Sequence, residues 1–182
     1  AALPAHMAEP LLDRHMDRSV WPGLTRKRAP ARLKRRAKRM GAWQALGDTL
    51  AERDPIPALT RSLYREFQRT GVRANCDRFM GAFIKDIQQE ALAVWLEHPR
   101  AGLDALQDRI CAVCDWPTWI MTAHEYCAVD LGSSAIGRLL AELGWMLGSR
   151  LEPEVVDRMD ARIRKRILEP AWDYRRIDGW AT

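Results

Sequence analysis

Apolar residues along this chain recur at steps of three and four, and no stretch of useful length alternates apolar with polar. A period near 3.6 places such residues on one face of a helix, whereas a half-buried strand needs a period of two. The chain is therefore expected to be all-α. Leu11, Leu12 and Met16 suggest a short helix over Glu9–Arg18, broken by Trp21-Pro22-Gly23. Leu33, Ala37, Met40, Trp43, Leu46 and Leu50 form one apolar series that predicts a helix from Pro30, closed by Pro55 and Pro57. Leu59, Leu63, Tyr64 and Phe67 mark a shorter helix stopped by Gly71 in a C-cap position. A long helix follows over Asn75–Glu97, with Phe79, Phe83, Ile87, Ala91 and Val94 on one face. Leu103, Leu106, Ile110, Val113 and Cys114 give the next, ending near Asp115-Trp116-Pro117. Ile136, Leu139, Leu140, Leu143 and Leu147 give another, with Gly148 just past its end, and Pro153 opens the last, which runs to Pro170. Roughly seven helices with short connections favour antiparallel helical hairpins. With 182 residues, the chain can bury one proper core.

One stretch departs from this pattern. Thr118 to Gly132 reads Thr-Trp-Ile-Met-Thr-Ala-His-Glu-Tyr-Cys-Ala-Val-Asp-Leu-Gly, and Trp119 to Cys127 holds an indole, an imidazole, a carboxylate, a phenol and a thiol. Ordinary helix connections are short and built of Gly, Asn, Ser or Pro. A long loop with this chemistry, carried between rigid helices, is a candidate functional site. His124, followed by Glu125 and Tyr126, suits acid–base work or substrate orientation, although a lone His is more often structural. Asp130, ahead of Gly132-Ser133-Ser134, suits a helix N-cap.

Eight Trp against three Phe and three Tyr is unusual. Most of them fit a helical core, but Trp119 and Trp180 fall in irregular segments, where an indole can serve as a flat platform for a sugar or a base. The net charge of +5 is also unevenly spread. Nine Lys or Arg and no acid lie between Arg26 and Arg39, and setting those nine aside leaves 20 basic against 24 acidic residues. Such a segment is either a solvated helix face or a surface for nucleic acid, an anionic polysaccharide or an acidic partner.

Cys111 and Cys114 are two residues apart, as are His124 and Cys127, and this set of three thiols and an imidazole is of a kind that binds zinc. Against that, the first pair falls inside a helical apolar pattern with no turn residue between, where buried free thiols are common. Cys76 stands alone, and nothing resembles a disulfide scaffold. Unpaired cysteines lean toward a reducing, cytoplasmic compartment, with periplasmic or secreted location left open. There is no Gly-rich phosphate loop, no Gly-x-Ser-x-Gly elbow and no His-Glu-x-x-His, so no cofactor is expected. No apolar run approaches the roughly 20 residues that span a bilayer.

Several segments in order resemble the N-terminal helical domain of the heparinase II/III-like polysaccharide lyases. They are Ser62-Leu63-Tyr64-Arg65-Glu66-Phe67-Gln68-Arg69-Thr70-Gly71-Val72-Arg73, then Ile110 to Cys114 leading into Thr118-Trp119. Thr122-Ala123-His124 is similar to the family's Pro-Ala-His with Thr for Pro. Val129 to Ser134, Leu147 to Leu151 and Arg166 to Pro170 complete the set, so the resemblance covers about Pro57 to Thr182. It implies part of an incomplete α/α toroid, followed in such enzymes by β-sandwich domains. It further implies a groove for a uronate polymer cleaved by β-elimination, with an anionic polysaccharide and the rest of the polypeptide as partners and nucleic acid an unlikely one. By position, His124, Trp119, Arg73 and Trp180 are then the substrate-binding candidates: Trp119 to stack on a sugar, Arg73 to meet a carboxylate. A salt bridge from Arg73 to Glu66 or Asp77 is the plainer alternative. The family's catalytic Asn or His and Tyr have no counterpart assigned here, so the chain by itself is expected to show little or no activity.

The expected organisation is a cloning remnant at 1–7, a basic helical segment at 8–54, and the first part of a toroid at 55–182. The competing expectation is a non-enzymatic helical binding module that uses the basic segment 26–39 for nucleic acid or an acidic partner.

Overall fold

The computed structural model describes residues 29–52 and 55–172. Trp180, the expected Glu9–Arg18 helix and residues 1–7 lie outside the described residues. The chain divides into two compact units between Gln44 and Ala45. Among the described residues every regular element is a helix.

In the first unit, α1 (Ala29–Arg39) carries Pro30 in its first turn and Arg36, Lys38 and Arg39 in its last, where cations complement the helix dipole. The single helix expected from Pro30 to about Leu50 is in fact two. Gly41 takes a left-handed φ of 72° and separates α1 from α2 (Ala42–Ala51). An apolar series tolerates such an interruption, because Met40 is left exposed at the break. From Ala45 onward, α2 belongs to the second unit: Leu46 and Leu50 are buried in a small cluster with Ala93. The sequence places that boundary after residue 54.

The second unit continues with two short helices, α3 (Arg61–Tyr64) and α4 (Glu66–Thr70). The Thr60 side chain caps α3 by accepting from Leu63 N–H, and Gly71, at φ 74°, ends α4 as expected. Four longer helices then make the core: α5 (Ala74–Trp95), α6 (Leu103–Asp115), α7 (Leu131–Leu147) and α8 (Pro153–Ile163). Helix α6 packs on α5 and α8, and α7 packs on the same two. Their shared interior holds Phe83, Ile87, Leu106, Ile110, Ile136, Leu140, Leu143 and Met159, all essentially solvent-free. Burial at about 25 cal/mol per Å² of apolar surface is what holds these helices together. At one end, Phe79, Phe83 and Trp116 form an aromatic cluster with ring centroids 5.0 to 6.3 Å apart.

Helix α8 does not stop where its α-pattern ends. It passes through a π-helical turn (Arg164–Leu168) into α9 (Glu169–Trp172). No helix of the described residues is long and apolar enough to cross a membrane.

Candidate functional site

The loop between α6 and α7 is held from three sides. Trp119 is 1% exposed, and its indole N–H donates to the Val113 carbonyl at 2.8 Å, at the end of α6. Arg166, from the π-helical turn, lays its guanidinium 4.9 Å from the centre of the Trp119 ring and donates to the Trp116 carbonyl. Thr122, also 1% exposed, donates its hydroxyl to the Tyr64 carbonyl at 2.6 Å, tying the loop to α3. These bonds satisfy polar groups that burial would otherwise leave without water.

Asp130 organises the third side. Its backbone and side chain cap α7 in a reciprocal box: Oδ1 accepts from Ser133 N–H at 2.7 Å, and the Asp130 N–H donates to Ser133 Oγ at 2.8 Å. Its other oxygen, Oδ2, accepts from Met121 N–H at 2.9 Å and lies 3.0 Å from His124 Nδ1. Burial works to raise this carboxyl, but the donors from Ser133, Met121 and His124 outweigh it and hold it below the usual carboxylate range. Asp130 is therefore an acceptor only, and His124 Nδ1 must carry the proton that joins them. In the neutral imidazole the basic nitrogen is then Nε2. A buried carboxylate fixing the tautomer and orientation of a histidine is the arrangement that general bases and metal-binding histidines both use. The His124 side chain is 21% exposed and that of Asp130 is fully buried.

A glycine lies beside this dyad. A Cβ on Gly132 would come within 2.6 Å of Met121 Cγ, so any larger residue there would push the Met121 side chain out of its place.

On the solvent side, Glu125 accepts from Arg65 Nη1 at 2.7 Å and from Gln68 Nε2 at 2.9 Å. Gln68 Nε2 also donates to the Thr122 carbonyl at 3.1 Å. Burial, with the Glu125 charge nearby, pushes the Tyr64 phenol up to about 12, so it stays protonated. Tyr126 is 75% exposed and Leu131 68%.

These positions correct two expectations. Trp119 cannot stack on a sugar in this structure, because one neighbour takes its N–H, a guanidinium covers its ring and the residue is solvent-free. The exposed aromatic ring beside His124 belongs to Tyr126. Arg73, the residue just before α5, is half exposed and paired to the first turn of that helix, with Nε 3.3 Å from Asp77 Oδ2, as the plainer alternative had it. Glu66 is taken instead by Asn75.

The zinc set is not assembled. Among the described residues no group of three His, Cys, Asp or Glu side chains is placed to hold a metal. Cys114 is sealed in the core, where burial and the neighbouring Cys111 push its thiol up to about 12. His124 meanwhile gives Nδ1 to Asp130. Cys76, at about 11 through burial, is likewise an inert core thiol.

Sequence reasoning reached His124 and, as a cap, Asp130. It missed that Asp130 serves cap and imidazole together, for which the signal was the six-residue spacing across a loop. It also missed Arg65, at the junction of α3 and α4, and Gln68 on α4, which both reach Glu125. A separate pocket of about 200 Å³ is lined by Thr49, Leu50, Glu52, Asp86, Gln89, Glu90 and Arg109, and none of the loop residues contributes to it. No protein-family model matches the chain, and no curated protein matches it.

Proposed function

We propose that this chain forms part of the substrate groove of a polysaccharide lyase acting on a uronic-acid-containing polymer. The observation that supports it most is the His124–Asp130 dyad: a partly exposed imidazole with fixed tautomer, placed on a helical frame by a buried carboxylate. An all-helical unit with successive packed helices is compatible with one part of an α/α toroid.

In this reading His124 orients the sugar at the groove wall, hydrogen-bonding a hydroxyl or the uronate carboxylate. Tyr126 offers an exposed ring face for stacking, in place of Trp119. Arg65, already bound to Glu125, keeps further donors on its fork for an acidic substrate. Proton abstraction next to the carboxylate and protonation of the leaving oxygen are assigned by the resemblance to an Asn or His and a Tyr outside the matched segments. The chain by itself is then a binding wall with little or no turnover.

The test is the natural full-length polypeptide carrying this sequence, offered a panel of uronate polysaccharides while ultraviolet absorbance follows new unsaturated chain ends. Absorbance should rise on at least one polymer, and His124→Ala and Tyr126→Ala should each reduce kcat/KM. A flat trace from folded protein across the whole panel sinks the lyase reading.

A further inference from the structure

Among the described residues, the dense basic stretch of the sequence holds two kinds of cation. Lys34 and Lys38, one turn apart on α1, both place their ammonium groups over the Trp43 ring, 5.1 and 5.2 Å from its centre. They are committed to holding the end of the first unit together. Arg32, Arg35, Arg36 and Arg39 are different. Their spacing of three, one and three puts them on one face of α1, all four are exposed, and none is ion-paired to a described residue. No acid occurs anywhere between Ser19 and Gly47. The result is a stripe made purely of arginine, about 10 Å long at 1.5 Å per residue.

We infer that this stripe is a docking surface for a single linear chain of carboxylates, the uronate polymer itself. The identity of the polymer rests on the lyase reading above. Arginine has a planar fork that takes a carboxylate through two parallel N–H bonds, and it gives up water more readily than lysine. Duplex nucleic acid fits less well. The four arginines span about 100° of one short helix, and the rest of the chain carries more acid than base, which disfavours the broad phosphate contact a duplex needs. A membrane surface fits less well too, since α1 has only Leu33 and Ala37 to bury on its other side.

The experiment is fluorescence anisotropy of labelled uronate oligosaccharides with the 182-residue protein, against the variant R32Q/R35Q/R36Q/R39Q, with a DNA duplex of similar charge as competitor. Glutamine keeps helix propensity, and circular dichroism checks that the helices persist. The quadruple variant should lose about tenfold or more in affinity. The slope of log affinity against log salt should flatten by roughly three, since each lost contact no longer releases a counter-ion. Equal binding by the two proteins, no uronate binding at about 50 mM salt, or preferential binding of the duplex would each overturn the inference. Turnover by the full-length polypeptide separates this from the lyase reading. Product formation with unchanged binding by the variant rejects the stripe alone, whereas stripe-dependent binding with no product rejects the lyase alone.

Discussion

Two tryptophans, Trp43 and Trp119, are each covered by a cation, and they do opposite things. Around Trp43 the lysines come from the same short helix, one turn apart, and the contact is local and half exposed. Around Trp119 the guanidinium arrives from the far end of the chain, and the ring is sealed among α6, the loop and the π-helical turn. The first contact arranges charge on a surface. The second ties the loop that carries His124 and Asp130 to the end of α6 and to the π-helical turn. Cation over indole is one motif, but burial decides whether it shapes a surface or sets a site.

The largest effect should separate the two rings. Trp119→Ala leaves a cavity and removes the indole hydrogen bond to the Val113 carbonyl, and should cost about 3–5 kcal/mol in urea unfolding. Trp43→Ala should cost about 1 kcal/mol or less, the range of exposed cation–π contacts. Comparable losses would erase the distinction.

Next comes Asp130. Asp130→Ala removes the cap of α7, about 1 kcal/mol, and strands the Met121 N–H, about 1–3 kcal/mol more. The effect should also depend on pH. Because the folded carboxyl titrates below its unfolded value of about 3.9, its contribution is fully present above that value and is lost as pH falls through the folded value. The stability gap between the wild type and Asp130→Asn, measured from neutral pH into acid, should stay level above about pH 5 and shrink below it. A gap that widened in acid would contradict the hydrogen-bonded, ionised Asp130.

The smallest effect belongs to the loop's outer edge. The Arg65–Glu125 pair, about two-fifths exposed on both sides, should show a coupling of about 0.2–1 kcal/mol in a double-mutant cycle and weaken with salt. A coupling well above that range would mean the outer edge is as tightly set as the inner one.

The helices were legible because Leu, Ile, Val and Phe repeat at helical steps and Pro or Gly punctuates the ends. Pro153 and Gly71 behave as read. Gly41 did not announce its break, since Met40 and Trp43 carry the apolar series across it. In the loop the residue types were informative and their directions were not. Without a period, nothing in the order Thr-Trp-Ile-Met says which side chain turns inward, so Trp119, expected at a groove, is buried while Tyr126 is exposed. His124 and Asp130 face each other through a turn that belongs to no repeat. Arg166 reaches Trp119 from 47 positions away, a pairing that only the packing of α8 on α6 creates.

The wide turn at Arg164–Leu168 gives that last contact an unusual dependence on chain length. A π turn accommodates one residue more than a regular turn of the same height. Deleting Lys165 would let the helix run smoothly from Pro153 onward, and by helix rules alone it should become more regular. Yet the wide turn sets the angle at which Arg166 leaves the axis, so a regular turn would re-aim the guanidinium away from the Trp119 ring. The irregularity in the last helix thus works as a phase shifter, trading the regularity of one element for the aim of one side chain.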